Sequence, residues 1–319
     1  MQTAIITDGF DNPLIERSIL EPLGCSVTFA GAKTPAELIP AVADADYIMT
    51  GLAPLNAQVV GAMAKAKVIV RYGIGVDSVD LEAAAQRGIP VCNVPDYCVN
   101  EVADHTLALL LDLTRQVSSS WQCIQKGQWK LARPYAEMRC LRDMTIGLVA
   151  FGRIGREVAA RLLAFKARVL VFDPVVDAAS VTAAGCEAVS FADLLARSDV
   201  VSLHCPSTPK TRGMIHQGVF AQMKPGALFL NASRGDLVIQ PDLVAALQSG
   251  HLSGAGLDVT SPEPIPQDSP LLTMTNVVIT PHAASASARA LHNLRSTVAR
   301  TVACAVRGEK LPNVVNGVS

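Results

Sequence analysis

The stretch Thr145-Ile-Gly-Leu-Val-Ala-Phe-Gly-Arg-Ile-Gly155, TIGLVAFGRIG in one-letter code, decides the fold of this chain. The apolar, β-branched run over 146–151 is predicted to be a buried strand. It leads directly into a turn with glycines at 152 and 155, and the residues after the turn are predicted to be helical. Glycines between a strand and a helix let the backbone turn tightly and approach a bound phosphate.

The residues after this turn complete a recognisable unit. Ile154, Val158 and Leu162 recur at four-residue spacing, which predicts one apolar face of a helix. Asp173 stands eighteen residues after Gly155, at the end of the next predicted strand. In dinucleotide-binding βαβ units an acid at this place bonds the ribose hydroxyls of the adenosine. The order of strand, turn, helix, strand and acid therefore predicts a dinucleotide site.

Ala150 departs from the G-x-G-x-x-G pattern, because it stands where the first glycine belongs. Gly152 keeps the place where the backbone approaches the pyrophosphate, and Gly155 keeps the place of close helix–strand packing. An alanine is tolerated in the tight turn if its φ is negative and costs on the order of 1 kcal/mol if φ is positive. We expect a negative φ at Ala150 and a loop that works.

Length and composition favour two domains built around parallel sheets. The chain has 319 residues, 50% of them hydrophobic and 4% aromatic. Short β-branched runs alternate with amphipathic segments, which is typical of doubly wound α/β domains. The predicted strands are 3–7, 46–50, 67–71, 146–151, 168–172, 199–203, 227–231, 254–258 and 276–280.

Two long helical segments, 99–116 and 287–308, flank the block that holds the glycine turn. We therefore predict that 99–287 is an inserted domain. The second domain then consists of 1–98 together with 288–319, and the chain crosses between the two domains twice.

Charge and hydropathy exclude several functional classes. The net charge is −1 and the basic residues are scattered, so we expect no nucleic-acid partner and no membrane surface. No apolar run reaches the 18 or so residues of a membrane span. The start, MQTAIITDGFDN, has no secretory signal pattern, and we expect a cytoplasmic protein.

The eight cysteines show no C-x-x-C pair and no histidine spaced as a zinc ligand, so no metal site is predicted. Scattered cysteines in a chain of this size are typically small buried hydrophobic residues. They lie at positions 25, 92, 98, 123, 140, 186, 205 and 304.

Polar residues follow three predicted strands of the inserted domain. Arg234 follows 227–231, Glu263 lies in the loop beyond the strand that ends at Asp258, and His282 follows 276–280. Each has an ordinary alternative, as a surface arginine, a loop glutamate or a capping histidine. Because ligands of parallel sheets collect at the carboxyl edge, we expect the three side chains to form one site.

The sequence resembles the D-isomer-specific 2-hydroxyacid dehydrogenases over nearly its whole length. Within that family it resembles the phosphoglycerate dehydrogenase and C-terminal-binding-protein-like branches. The resemblance implies two Rossmann-like domains, with the NAD-binding domain inserted into the substrate domain and the active site in the cleft between them. The matching stretches are RYGIGVDSVDLEAAAQRGIPVCNVP, NEVADHTLALLL, GRIGREVA, HCPSTPKTRGMI, NASRGDLV, LDVTSPEP and TPHAA.

The resemblance also implies roles for the three polar residues. Arg234 would bind the carboxylate and carbonyl of the substrate, His282 would exchange the proton, and Glu263 would hydrogen-bond His282. Hydride delivery to a 2-oxo acid needs an acid for the carbonyl oxygen, and the reverse reaction needs a base. Histidine titrates close enough to neutrality to serve as both.

The cofactor implied is NAD, and the assembly implied is a homodimer. NAD is expected over NADP because Asp173 would repel a 2′-phosphate and no basic residue follows it directly. The implied cofactor contacts are Gly152, Arg153, Ile154, Gly155, Asp173, Cys205, Pro206, Thr211, Ala232, Ser233, Arg234, Asp258, His282 and Ala284. The implied substrate contacts are Tyr72, Gly73, Ile74, Gly75 and Arg234, with the backbone of Ile74 and Gly75 holding the acid group. A simple tight turn remains an alternative for the loop 72–75.

Several alternatives within the family stay open. A D-3-phosphoglycerate dehydrogenase is one, although the loop GLAPLNAQVV (51–60) has no basic residue to bind a phosphate. Its edge of Leu52, Ala53, Pro54 and Leu55 suits an apolar substituent better, while Arg71 keeps the phosphorylated substrate possible. A non-catalytic, NADH-binding corepressor is the other. Glu263 argues against a formate dehydrogenase, because formate dehydrogenases have a glutamine at the position that pairs with the histidine.

Overall fold

In the computed structural model, which describes residues 2–318, the chain forms two compact units. The first consists of Met1–Cys98 and Ala286–Ser319, and the second of Val99–Ser285. The chain returns to the first unit at Ala286, two residues before the predicted boundary at 288. Each unit has its own parallel sheet and its own hydrophobic core.

The first unit contains a five-stranded parallel sheet in the order β2-β1-β3-β4-β5. Its strands are β1 (Gln2–Ile6), β2 (Cys25–Phe29), β3 (Tyr47–Thr50), β4 (Val68–Arg71) and β5 (Val91–Cys92), and its first four helices are α1 (Leu14–Leu20), α2 (Pro35–Val42), α3 (Ala57–Ala62) and α4 (Leu81–Gln86). Successive residues of β3 serve opposite faces, because Tyr47 and Met49 join one core cluster and Ile48 the other.

The second unit contains a seven-stranded parallel sheet in the order β12-β11-β10-β9-β6-β7-β8. Its strands are β6 (Thr145–Val149), β7 (Arg168–Phe172), β8 (Glu187–Ala188), β9 (Val200–Leu203), β10 (Ala227–Asn231), β11 (Leu252–Leu257) and β12 (Val277–Ile279). Its helices are α5 (Val99–Arg115), α6 (Val117–Gln125), α7 (Arg153–Ala164), α8 (Ala178–Ala183), α9 (Phe191–Arg197), α10 (Gln217–Phe220) and α11 (Gln240–Gln248). The long helix α12 (Ala288–Arg307) then belongs to the first unit.

Both sheets are doubly wound, which confirms the predicted fold class. In the second unit the chain runs from β6 outward to β8 and then returns to β9 on the other side of β6. Two core clusters cover its two faces: Leu148 of β6 packs in one and Val149 in the other. The order reverses between β6 and β9, and the crevice at such a reversal is where open α/β sheets bind ligands.

Glycines let α5 approach the sheet closely. A Cβ built on Gly256 of β11 would lie 3.0 Å from Leu109 Cβ of α5, and one built on Gly254 would lie 3.4 Å from Leu113 Cδ2. A side chain at Gly256 would force α5 away from the sheet, whereas one at Gly254 would touch the helix and lie only 2.7 Å from Asn276 O. The run GAGLD therefore encodes both a strand and the site against which α5 packs.

The nine predicted strands correspond to nine of the twelve strands, with ends that differ by up to two residues. The three that the sequence analysis missed, β2, β5 and β8, all lie at sheet edges. β5 and β8 have two residues each, which is too short for a periodic signal.

The cysteines are all free thiols. Five are buried, as the sequence analysis expected, but Cys140 is exposed and two others are half-buried. Within residues 2–318 no group of three or more His, Cys, Asp or Glu is arranged to hold a metal ion. In the same range no helix combines the length and the apolar character needed to span a membrane.

Candidate active site

The two glycines of the turn after β6 differ in what surrounds them. Gly152 is the N-cap of the twelve-residue helix α7, and a Cβ built on it meets no atom within 4 Å. A Cβ on Gly155 would lie 2.5 Å from the carbonyl oxygen of Ala150. Gly155 is thus required by the protein's own packing, whereas the space at Gly152 is open. An open cradle beside a helix N-terminus fits the pyrophosphate of a dinucleotide.

The expectation of a negative φ at Ala150 is wrong, because its φ is +81°. Ala150 N still donates to Phe172 O at 2.8 Å, so the residue extends the β6–β7 ladder before the chain turns. The next amide, Phe151 N, donates to Asp173 Oδ2 at 2.7 Å, and this bond helps to hold the turn. The loop therefore has the glycine-type conformation at a strain of about 1 kcal/mol in the alanine.

Asp173 lies at the end of β7 and accepts hydrogen bonds through both oxygens. Its Oδ1 accepts from Val175 N at 2.7 Å and Val176 N at 2.9 Å, while Oδ2 accepts from Phe151 N. Burial alone would raise the pKa of this carboxyl, but the three N–H groups and the charge of Arg156 outweigh it and lower the pKa. The residue is thus an anion, and one of its roughly four lone-pair positions remains for a ribose hydroxyl.

The loops after β9 and β10 are tied together at the same edge of the sheet. Ser233 Oγ donates to Cys205 O at 2.5 Å, and Thr211 Oγ1 donates to Pro206 O at 2.7 Å. Burial raises the pKa of the Cys205 thiol to about 11, so this side chain is neutral. These predicted cofactor residues, with Ala232 between β10 and Ser233, form a connected rim.

His282 and Glu263 form a hydrogen-bonded pair beside this rim. His282 Nδ1 lies 2.8 Å from Glu263 Oε2, and Glu263 Oε1 accepts from Thr260 N at 3.1 Å. Their side chains are 38% and 37% exposed, so a ligand can reach them. A carboxylate acceptor at Nδ1 places the hydrogen there and leaves Nε2 as the atom that takes or gives a proton.

Several groups set the charge of Glu263. Burial raises the pKa of its carboxyl, but the hydrogen bond and charge of His282, the Thr260 N–H and the charge of Arg234 outweigh burial. The pKa is therefore below its ordinary value. An ionised Glu263 accepts a hydrogen bond from His282 Nδ1 and so fixes the orientation of the ring.

Arg234 is held by its neighbours at the end of β10. Its Nη1 donates to Ser233 O at 2.7 Å, and Asn231 Nδ2 donates to Arg234 O at 2.8 Å. Asn231 Oδ1 also accepts from Ser233 N at 3.0 Å. The sequence analysis did not single out Asn231, although a polar residue at the end of the apolar run ALFLN was the available signal.

The His282 turn is strained, since its φ is +51°. Asp258 holds the turn through three consecutive amides: His282 N donates to Asp258 O, Ala283 N to Oδ1 and Ala284 N to Oδ2, at 2.8, 2.8 and 2.9 Å. Asp258 is 2% exposed. The carboxylate predicted to contact the nicotinamide is thus largely used by the chain itself.

In the first unit, the loop 72–75 follows β4. The Tyr72 side chain is buried, its hydroxyl donates to Glu16 Oε1 at 3.1 Å and its N donates to Thr50 O at 2.8 Å. Of this predicted substrate contact only the carbonyl could meet a ligand. Gly73 has φ +144°, and a Cβ there would overlap the guanidinium of Arg71.

The carbonyls of the same loop are bonded within the unit. Gly73 O accepts from Val94 N at 2.9 Å, and Ile74 O accepts from Asn93 Nδ2 at 2.6 Å. These bonds fix the orientation of the peptide groups that contain the amides of Ile74 and Gly75.

The loop after β3 is bound to Asp8, whose carboxylate accepts from Gly51 N, Leu52 N and Ala53 N at 2.7, 2.7 and 3.1 Å. Leu52 is 67% exposed, but Ala53 and Leu55 are buried in the core. The prediction that all four residues 52–55 form an apolar pocket edge was therefore wrong for two of them. Of these four residues, only Leu52 and Pro54 are at the surface.

Residues 107–284 match the model of the D-isomer specific 2-hydroxyacid dehydrogenase, NAD binding domain. The match spans more than half of the 319 residues. The chain belongs to the D-isomer-specific 2-hydroxyacid dehydrogenase family. The resemblance seen in the sequence motifs is thus confirmed, and the second unit is the NAD-binding domain.

Curated relatives within the family carry different names. The chain is 39% identical over 305 residues to the D-3-phosphoglycerate dehydrogenase of Mycobacterium leprae, which covers 95% of this chain and 57% of the relative. It is 39% identical over 283 residues to the glyoxylate reductase of Korarchaeum cryptofilum, with 88% and 85% covered. The chain spans about half the length of the mycobacterial phosphoglycerate dehydrogenases that it matches.

Solved structures are similar to nearly the whole chain. A protein from Thermus thermophilus superposes with a TM-score of 0.89 at 36% identity, covering 98% of this chain and 100% of its own. The D-lactate dehydrogenase of Aquifex aeolicus, complexed with NAD and lactic acid, gives a TM-score of 0.87 at 28% identity, with 97% and 96% covered.

Proposed function

We propose that this protein is an NAD-dependent oxidoreductase that interconverts a D-2-hydroxy acid and its 2-oxo acid. The observation that carries the proposal is the His282–Glu263 pair, joined at 2.8 Å beside Arg234 at the carboxyl edge of an NAD-binding sheet. A proton-transfer group, its orienting carboxylate and a carboxylate-binding guanidinium are what this reaction requires of the protein.

Each side chain then has a defined task. When bound, the reduced nicotinamide supplies a hydride to the carbonyl carbon of the 2-oxo acid. His282 Nε2 gives a proton to the carbonyl oxygen in reduction and removes the hydroxyl proton in oxidation. Glu263 keeps the ring oriented and stabilises the imidazolium, while the fork of Arg234 binds two oxygens of the substrate and positions the carbonyl.

The proposal extends to further contacts with the cofactor and the substrate. Gly152, Arg153 and Ile154 would meet the pyrophosphate at the start of α7, and Asp173 would bond the ribose. The amides of Ile74 and Gly75 would hold the substrate carboxylate, because the neighbouring carbonyls are already bonded to Val94 N and Asn93 Nδ2.

His282→Ala and Arg234→Lys test the assigned roles. We expect both variants to lose most turnover and to bind NADH nearly as the parent does, since neither change touches the glycine turn. The exposed His292 and Arg289 allow matched controls, His292→Ala and Arg289→Lys, which should keep full activity. Near-parental rates in the two site variants would refute the assignment.

NAD is expected to be preferred over NADP, because the ionised Asp173 would repel a 2′-phosphate and the two following bonded residues, Val175 and Val176, are apolar. The measurement is a comparison of kcat/KM for NADH with kcat/KM for NADPH, made with the same series of substrate concentrations. Comparable values would contradict the role of Asp173.

We expect the substrate to carry an uncharged or apolar substituent. Leu52 and Pro54 are exposed apolar residues of a loop in which the amides of Gly51, Leu52 and Ala53 already donate to the Asp8 carboxylate. A panel of glyoxylate, hydroxypyruvate, pyruvate, phenylpyruvate and 3-phosphohydroxypyruvate tests this. Preference for the phosphorylated compound would instead establish the second candidate, a D-3-phosphoglycerate dehydrogenase. Two observations favour that candidate: the guanidinium of Arg71 lies beside Gly73 of the predicted substrate loop, and the mycobacterial relatives have this name.

We also propose a homodimer formed through the NAD-binding domain. The segment 117–135 exposes Val117, Trp121, Trp129 and Tyr135 by 62, 58, 92 and 85%. Such a group of exposed apolar side chains is typical of an interface. Light scattering should give twice the chain mass of 33.6 kDa for the parent and a shift toward the monomer for Trp129→Glu. A monomeric parent would contradict the proposal.

A further inference from the structure

The carboxylate of Asp258 is the centre of the turn that presents His282. Three consecutive amides of the turn bond to this one residue, and the strained φ of +51° at His282 persists because of them. A carboxylate accepts only, so each additional polar neighbour of Asp258 must donate to it. What orients Asp258 therefore also orients His282.

Two side chains that the family motifs contain, but to which no role has been given so far, continue this network. Thr280 Oγ1 donates to Asp258 Oδ1 at 2.6 Å, and His105 Nε2 lies 2.8 Å from Thr280 Oγ1. A hydroxyl has one hydrogen, and here the carboxylate takes it. Thr280 must therefore accept from His105, which places a hydrogen on His105 Nε2.

We propose that Thr280 and His105 are positioning residues for His282, which act by locking Asp258 through a one-directional hydrogen-bond chain. The chain runs from His105 Nε2–H to the Thr280 hydroxyl and from there to Asp258 Oδ1. The inference rests on the proposed role of His282 as acid and base.

The location of His105 explains what this chain adds. His105 lies on α5, which is packed closely on β11 through Gly254 and Gly256 and is therefore a fixed reference point. The amides that hold Asp258 belong to the turn after β12, which is itself the segment to be positioned. His105 ties the same carboxylate, through Thr280, to α5, which lies outside that turn.

Thr280→Val tests the chain, because valine keeps the shape of threonine and removes its hydroxyl. We expect kcat to fall at least tenfold, with KM for the 2-oxo acid and the Kd for NADH within about threefold of the parent. Thr280→Ser keeps the hydroxyl and should restore kcat to within threefold. A residue needed only for folding would not give this split between kcat and binding.

His105 supplies an independent pair, suited to the case in which Thr280→Val does not fold, since its side chain is 23% exposed. His105→Gln retains an N–H donor near Nε2 and should keep kcat within threefold. His105→Phe retains a ring without the donor and should lower kcat about as much as Thr280→Val does.

The outcomes separate the two proposals. Parental kcat in Thr280→Val and His105→Phe, together with an inactive His282→Ala, would overturn the positioning role and leave the proposed function intact. Equal losses in the valine and serine variants, accompanied by weaker NADH binding, would also overturn it. An active His282→Ala would instead remove the proposed function on which the inference rests.

Discussion

Gly152→Ala gives the sharpest test of the cofactor site, because the structure separates its effect on the fold from its effect on the ligand. A Cβ at Gly152 meets nothing within 4 Å. The residue has φ −73° and ψ −159°, which alanine adopts without strain. The added methyl group therefore occupies only the space in which the pyrophosphate would lie.

The expected change in stability is small. Alanine reduces the conformational freedom of the unfolded chain, which stabilises the fold by about 0.4–1 kcal/mol. It is a poorer N-cap than glycine by a similar amount, so the two effects nearly cancel. We expect the free energy of unfolding to stay within ~0.5 kcal/mol of the parent. NADH affinity should fall at least tenfold, which corresponds to about 1.4 kcal/mol.

Gly155→Ala is the contrasting variant. Its Cβ would lie 2.5 Å from Ala150 O, a backbone atom, so the loop must shift. We expect a loss of roughly 1–3 kcal/mol in the free energy of unfolding as well as weaker NADH binding. Urea denaturation and NADH fluorescence titration measure both quantities on both variants. Parental NADH affinity in Gly152→Ala would refute the assignment of this turn to the pyrophosphate.

Three further predictions concern strain, a buried charge and pH. Ala150→Gly should leave the free energy of unfolding within about 1 kcal/mol of the parent in urea denaturation, because relief of strain at φ +81° offsets the greater freedom of the unfolded chain; a loss above about 2 kcal/mol would contradict this. Glu16→Ala should cost about 3–5 kcal/mol, since it removes the buried carboxylate that pairs with Arg295, whose side chain is 12% exposed, whereas Glu21→Ala at the surface should cost little; equal losses would contradict it. Burial lowers the pKa of the His204 imidazole from about 6.5 to about 4 in the folded state. As pH falls through this interval, the unfolded state therefore binds a proton before the folded state does. The parent should therefore lose more stability than His204→Gln in that interval, and parallel curves would contradict the shift.

The elements and the family could be predicted because their signals lie within contiguous segments. Strand runs such as 168–172 and 227–231 have the predominantly apolar composition of buried parallel strands, and both match the observed strands. The αL glycine Gly250 after α11 likewise follows from local backbone chemistry. Of the edge strands, β5 and β8 were missed because they have only two residues each, and β2 because three of its five residues are not buried.

What only the tertiary structure decided are the contacts between residues far apart in the chain. The sign of φ at Ala150 depends on a turn held by Asp173, and the burial of Tyr72 depends on Glu16, 56 residues away. Asp258 meets Thr280 because β11 pairs with β12, and it meets His105 because α5 packs on these strands. A local sequence pattern specifies which residue types end each strand. It does not specify their partners. A hydrogen bond forms only between groups that the fold brings within about 3 Å of each other, and the packing of the whole domain decides which groups those are.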